Sequence, residues 1–446
     1  MQINKLVIVA LLFLVFTKNQ AQEKKLLTLK EAIEMAVTNS DAASLAKAKV
    51  ETSKLELDVA KNNRYPSVKA SAQYLRLSSA NVDSNIQSNN NNGGSGSSGS
   101  SAPLKVDWLA LGQVNASMPI FNGFKLKNSI AESESMYKAE TFSEKHSKEQ
   151  IGMEVVNLFS SLYKAQQTVD LIQDNLKTAD QRVRDFTAME ENGLIARNDL
   201  LKAQLQQSNV QLSLDNSKKN AAIANYRLIT LLKLPESTQI DIDIEAIKRD
   251  MASNLGNSAQ GERNDLKALE LKKQAAESGI KIAKGNYYPS LSLTGGYIAF
   301  DLHNVLSVTN AMSFGVGVSY DLSNVFKNSK NVKLAQSKTK ETEIALSLMT
   351  DQIKEEVFQA KENYNLSLKQ SLVYDKAVVQ ATENYRIVKD KYDNSLSDTN
   401  DLLEADYQQL QAKINQALSK ADVAQKYYEL QFASGKLTAS LNITQK

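Results

Sequence analysis

Asn192-Gly193-Leu194-Ile195-Ala196-Arg197-Asn198-Asp199-Leu200-Leu201-Lys202-Ala203 returns 202 positions later as Asn394-Ser395-Leu396-Ser397-Asp398-Thr399-Asn400-Asp401-Leu402-Leu403-Glu404-Ala405. Internal repetition decides architecture before any local pattern does. The same offset carries Val114, Ser117, Phe124 and Lys125 onto Val316, Ser319, Phe326 and Lys327. It also carries Gln150, Ile151 and Glu154 onto Gln352, Ile353 and Glu356, and Tyr226 and Leu228 onto Tyr428 and Leu430. Upstream, Tyr65-Pro66-Ser67 and Tyr74 match Tyr288-Pro289-Ser290 and Tyr297 at an offset of 223, so the first copy holds 21 extra residues. The Asn-, Ser- and Gly-rich tract 82–102 accounts for them as a polar loop insertion.

Outward from the repeated turns lie long helices. Val155, Leu158, Leu162, Ala165, Val169, Ile172, Leu176, Ala179, Val183 and Phe186 are spaced alternately three and four apart. That heptad seam requires a partner helix. In the second copy Ile353, Val357, Ala360 and Tyr364 keep the rule, as do Val378, Ala381, Tyr385, Val388 and Tyr392, with Ser367 and Ser371 interrupting between them. Helices are predicted over 28–63, 125–190, 198–234, 262–285, 327–391 and 400–436, and 235–261 is read as irregular. A helix over 125–190 is roughly 100 Å long at about 1.5 Å per residue. The helix after each turn is about half as long, so 28–63 and 262–285 are expected to cover the remainder.

Between the helices the period falls to two. Val68, Ala70, Ala72 and Tyr74 alternate with Ser67, Lys69, Ser71 and Gln73, and Leu291, Leu293 and Tyr297 with Ser290, Ser292 and Thr294. Trp108, Ala110, Val114, Ala116 and Met118 share one parity, as do Met312, Phe314, Val316, Val318 and Tyr320. Four strands of about 10–12 residues follow, the length of a tilted membrane strand. A soluble sheet with one face on a core has the same pattern. Four strands cannot close a barrel, and open edges in lipid leave backbone groups unpaired, so in a membrane several chains must contribute.

Composition narrows the class. The 446 residues include 42 % hydrophobic residues, five prolines and no cysteine. Disulfides, thiol chemistry and a lipid-modified N-terminal Cys are excluded. A net charge of +3 from 53 basic and 50 acidic residues gives no basis for nucleic-acid binding. Lys5, the apolar run 6–16 and Ala21 read as a secretory signal peptide over 1–21, because eleven apolar residues cannot span ~30 Å of hydrocarbon. The chain then divides into a first repeat at 22–235, with loop 79–106 and tip turn 192–198, a linker at 236–261, a second repeat at 262–437, with tip turn 394–399, and a tail at 438–446. The two histidines, His146 and His303, stand near no paired acid or nucleophile motif. No HExxH, GxSxG or phosphate-cradling glycine loop occurs. No enzyme activity, cofactor or metal site is expected.

In its doubled order of helix, strand pair, long helix, turn and helix, the chain resembles the TolC family of outer-membrane efflux proteins. The resemblance spans the mature chain. It includes the helix start Leu27-Thr28-Leu29-Lys30-Glu31-Ala32-Ile33, the two Tyr-Pro-Ser strand openings, and the Gly193-Leu194-Ile195 and Ser395-Leu396 turns followed by Asp199 and Asp401. It implies a mainly α protein with a membrane β-barrel portion. Three protomers would complete a twelve-stranded barrel in the cell outer membrane and a twelve-helix tube in the periplasm. It also implies a passive exit duct for efflux or type I secretion, working with a periplasmic adaptor and an inner-membrane pump.

The resemblance assigns Gly193, Leu194, Ile195, Ser395 and Leu396 to adaptor contact at the hairpin tips. The same residues also read as helix ends, with Asn198 and Asn400 as caps. Asp401 and Glu404 share a helical face and match acidic positions lining the family's periplasmic aperture. Three chains would make two carboxylate rings of the kind that select ions. Asp199 matches the first of them in the other repeat, where Lys202 replaces the second. Tyr392 matches a gate tyrosine, and the expected latch arginine is Ser397. The competing reading is an envelope coiled-coil protein, structural or adhesive, without a pore.

Overall fold

The computed structural model describes residues 24–82, 104–242, 247, 251, 262–303, 305–441 and 443. The stretch 1–21 expected to be a signal peptide, residues 83–103 and most of the expected linker lie outside these. The described chain forms two compact units. One holds the described residues within 1–50, 140–268 and 346–446, and the other those within 51–139 and 269–345.

In chain order the elements are β1 (Lys24–Leu27), α1 (Leu29–Asn39), α2 (Asp41–Asn62), β2 (Ser67–Val82), β3 (Leu104–Phe121), α3 (Lys125–Glu191) and α4 (Arg197–Leu232). Then come β4 (Gln239–Ile242), α5 (Asn264–Gly285), β5 (Ser290–Leu302), β6 (Leu306–Ser319), α6 (Asn324–Asp393), α7 (Thr399–Ala433) and α8 (Leu437–Ser440). No helix among the described residues is long and apolar enough to cross a membrane.

The second unit carries one antiparallel sheet, ordered β2-β3-β5-β6. The β3–β5 pairing joins the two sequence copies, and β2 and β6 are the outer strands. Helical segments beside it pack Leu57, Ala60 and Ile130 together with Leu126 and Tyr137. At the sheet-to-helix joint the backbone passes very close to itself. A Cβ on Gly123 would stand 2.2 Å from the Gly285 carbonyl oxygen, so both positions need glycine. Asn328, fully buried, donates from Nδ2 to the Ala283 carbonyl at 2.7 Å, and Lys125 Nζ donates to Asn286 Oδ1 at 3.1 Å.

The first unit is built on the α3 seam. Val155, Leu162, Ile172, Ala179 and Phe186 are all buried. The main core gathers Leu27, Leu29, Ile33, Phe159, Leu162, Leu228, Leu232, Ile240, Tyr428 and Leu437. Thr28 and Glu31 form a reciprocal capping box at the start of α1. The α6 seam differs. Ala360 and Ser367 are buried, but Leu348, Phe358, Leu372 and Val379 on the same helix are exposed. Ser367, which breaks the predicted heptad, returns its hydroxyl to the Tyr364 carbonyl at 2.7 Å and is thereby satisfied inside the seam.

Three expectations need correction. The helix over 28–63 is two helices: Ser40 leaves the helical region at ψ 151° and its Oγ accepts from the Ala43 N–H at 3.2 Å. The strands are 16, 18, 13 and 14 residues long, because pairing continues past register shifts at Arg76/Ala80 and Ile298/Phe300. The linker is not wholly irregular. Its Asp/Ile alternation is strand β4, parallel to β1, with Ile240 and Ile242 turned into the core. The other edge of β4 is satisfied by side chains: Asn225 Oδ1 accepts from the Ile240 N–H at 2.9 Å, and Gln166 Nε2 donates to the Ile240 carbonyl at 2.7 Å.

Candidate functional site: hairpin tips and an amphipathic sheet

Both tip turns close in the same way. The Gly193 N–H donates to the Glu190 carbonyl at 2.9 Å and the Leu194 N–H to the Met189 carbonyl at 2.8 Å. In the second turn the Ser395 N–H donates to Tyr392 at 2.9 Å and the Leu396 N–H to Lys391 at 2.8 Å. This paired closure needs a left-handed residue, and Gly193 and Ser395 have φ of +72° and +59°. Leu194 and Leu396 project at 71 % and 77 % exposure. Ile195 folds back into a cluster of Phe186, Leu200, Ala203 and Leu402.

The predicted caps are corrected. Neither Asn198 nor Asn400 occupies the cap position. The α7 cap is Asp398, whose Oδ1 accepts from the Asp401 N–H at 2.9 Å, and the α4 cap position is Ala196, which makes no side-chain cap bond. Each helix begins one residue earlier than the sequence suggested, so the asparagines fall inside the first turn.

Asp401 and Glu404 are both exposed on the first turns of α7. Ser397 Oγ donates to Asp401 Oδ2 at 2.7 Å, and Gln408 Nε2 to Glu404 Oε1 at 2.7 Å. Asp199 is half-buried and pairs with Lys202 at 3.3 Å, so its charge is locally compensated while those of Asp401 and Glu404 face no cation in these bonds. The Tyr392 ring stacks on Phe186 with centroids 5.8 Å apart, bridging the two hairpins beside Leu402.

The sequence reading missed the buried centre behind the tips. Arg182 of α3 donates from Nη1 to Asp406 Oδ2 of α7 at 2.9 Å, with side chains only 8 % and 5 % exposed. Tyr385 Oη of α6 accepts from Arg182 Nη2 at 3.4 Å, and Asn175 Nδ2 donates to Asp406 Oδ1 at 3.3 Å. Burial works against the Arg182 charge, but Asp406 opposite and the Tyr385 hydroxyl hold its pKa above the ordinary arginine value. One signal was available. At the repeat offset, Arg182 corresponds to Asn384 and Asp406 to Gln204, so the pair exists only where the copies diverge.

The sheet offers two unlike faces. One carries Val68, Val114, Met118, Leu293, Phe314 and Val316, with Phe314 92 % exposed. The other carries Ser67, Gln113, Asn115, Ser117, Ser292 and Thr294 in the same register. Aromatic groups bracket the apolar face: Tyr74 stacks on Trp108 at one end, and Phe121, Phe124 and Tyr288 meet edge to face at the other. An apolar band with an aromatic girdle at each end is the outer surface of a membrane barrel.

Long heptad helices continuous in sequence with such a sheet define an outer-membrane channel protein. The sequence model described as outer membrane efflux protein matches residues 32–232 and 255–436, so the chain belongs to that family. Its place is the outer membrane. No curated protein sequence matches the chain. Among solved structures, the outer-membrane channel OprN is similar at 15 % identity and a TM-score of 0.73, covering 91 % of this chain and 89 % of that one. VceC from Vibrio cholerae aligns at 16 % and 0.73, covering 91 % and 96 %. CmeC of Campylobacter jejuni aligns at 17 % and 0.75, covering 92 % and 86 %. At these identities the likeness establishes the fold.

Proposed function

We propose that the chain is one third of a trimeric exit duct for a tripartite efflux or type I secretion system, a passive conduit gated at its periplasmic end. The observation that carries this is the four-stranded sheet with apolar and polar faces and two outer strands, β2 and β6. Lipid on one face forbids open edges, and joining β6 of one copy to β2 of the next in three copies closes twelve strands. The exposed apolar residues of α6 are then the surfaces that meet neighbouring copies.

The tips are the adaptor contact. Leu194 and Leu396 are apolar, highly exposed and held on tightly closed turns, which suits docking to another helical hairpin. The adaptor couples the duct to an inner-membrane pump, which supplies the energy. Asp401 and Glu404 in three copies form acidic rings that attract cations at the aperture. Tyr392 on Phe186, and Arg182 on Asp406, fasten the second hairpin to the first, the role that an arginine at position 397 would otherwise share.

Two measurements test the reading. Purified mature chain in planar bilayers is expected to insert as trimers and conduct ions; a monomer without affinity for lipid would end the proposal. Asp401→Asn combined with Glu404→Gln is expected to weaken divalent-cation block strongly while changing low-pH conductance little. Unchanged block would remove the acidic rings from the gate.

A further inference from the structure

The two faces of the sheet exchange character toward the β5–β6 hairpin. Near the helices the inward face is hydroxylic: Ser67, Ser117, Ser290 and Ser319 lie there, with Ser67 Oγ donating to the Ser117 carbonyl and Ser290 Oγ to that of Ser319, each at 3.2 Å. Six or more residues further along the strands the same face is apolar. Leu75 pairs with Leu109, Leu109 with Leu302, Leu111 with Phe300, and Phe300 with Val308. At that level the outward face turns polar: Arg76 is opposite Trp108, and Asp301 is opposite both Ala110 and Ser307. The exchange follows strand parity, because side chains alternate faces along every strand.

This deepens the duct reading and rests on it. The span from Met118 to Trp108 is about 33 Å along a strand, or roughly 25 Å of height when tilted, the apolar band of a membrane barrel. From the level of Ala110 and Trp108 the outward face carries Arg76, Asp301 and Ser307, which suit water and mark the outer limit of the band. An inward face lined by leucines in a water-filled mouth would leave apolar surface wet, so something apolar must cover it. The insertion 83–102 is unsuited by composition: Ile86 and Ala102 are its only apolar residues apart from glycine. The remaining source of the right chemistry, continuous with the proposed barrel interface, is the same face of the other copies. Register shifts at Arg76/Ala80 and Ile298/Phe300, the second with Asn310 at φ +59°, put bulges in the strands at this height, and bulges bend strands.

We propose that Leu75, Leu109, Leu111, Phe300, Leu302 and Val308 of three copies converge into an apolar collar that narrows the outward mouth of the duct. Such a collar wets poorly and hinders ions, while apolar or amphiphilic cargo passes. It is a second constriction, at the opposite end from the acidic aperture.

The absence of native cysteine permits a direct test in the full-length protein in outer-membrane vesicles. Leu111→Cys and Phe300→Cys are made singly, with Ser292→Cys as the inward-facing reference near the helices and Met312→Cys as the outward-facing one. A short bis-maleimide, which joins two thiols, is expected to convert the Leu111→Cys and Phe300→Cys monomer bands largely to dimers with one uncrosslinked monomer left per trimer, and to leave Ser292→Cys monomeric on denaturing gels. Trimers by native mass measurement with no such conversion would overturn the collar while leaving the duct. Labelling of Phe300→Cys by a lipid-partitioning maleimide as fully as Met312→Cys would place the collar in lipid and overturn it too. Absence of trimers in the unsubstituted protein would defeat the duct reading itself.

Discussion

Ser395 sits at φ +59° where the first repeat has Gly193 at +72°, and Lys233 at φ +57° stands where the second repeat has Gly435 at +68°. Each copy therefore has glycine at only one of its two left-handed helix ends. A side chain there costs roughly 1 kcal/mol. Ser395→Gly is expected to raise stability by up to about that amount, offset in part by the extra freedom of glycine in the unfolded chain. Gly193→Ala should lower it similarly although open space surrounds the position. Thermal unfolding of the detergent-solubilised protein measures both.

Glu149 is a second case at this scale. It is 2 % exposed, accepts from Asn264 Nδ2 at 3.4 Å, and lies near Arg263, Asp265 and His146. Burial, and then the Asp265 charge, push its pKa up to about 7. The folded state thus holds this proton more tightly than the unfolded state does. Its contribution is fully present below the ordinary value of 4.5 and is lost as pH rises through about 7, on the order of 3 kcal/mol in all. His146, whose pKa burial lowers, acts with the opposite slope. Comparing Glu149→Gln with the parent isolates the carboxyl: the variant should lack the stability loss between pH 5 and 7, and parallel pH curves would refute the assignment.

Between elements, the decisive contact is Arg182 with Asp406, because it ties α3 to α7 and, through Tyr385, to α6. Arg182→Ala leaves Asp406 buried without its cation and should cost about 3–5 kcal/mol. Arg182→Met with Asp406→Leu should recover most of that loss. If the pair also fastens the gate, the double variant will conduct more at equal trimer content. A recovered midpoint with unchanged conductance would limit the pair to a structural role. The tips predict separately: Gly193→Glu, which alters the turn and its surface, should abolish efflux and leave trimers intact, and normal drug resistance would count against adaptor docking there.

The whole molecule carries apolar surface that its own fold does not cover. Leu348, Phe358, Leu372 and Val379 on α6 are each exposed by more than 60 %, and the described sheet has two outer strands. Stability should therefore be inseparable from assembly. The unfolding midpoint of the detergent-solubilised protein is expected to rise with protein concentration, as mass action requires when only the folded state associates. A midpoint independent of concentration, at concentrations bracketing trimer dissociation, would argue that each chain is stable alone.

The sequence by itself determined the repeat, the heptad seam of α3 and the period-two strands, because each is written in the spacing of neighbouring residues. Gly193 and Ser395 were legible as turns for the same reason. Only the tertiary structure decided that Ser40 divides the first helix, that β4 pairs with β1, and that Asp398 rather than Asn400 caps α7, since each depends on partners or on a shift of one or two residues. Arg182, Tyr385 and Asp406 meet across 203 to 224 residues of chain. No local pattern encodes such a meeting; the packing of one hairpin on the other creates it.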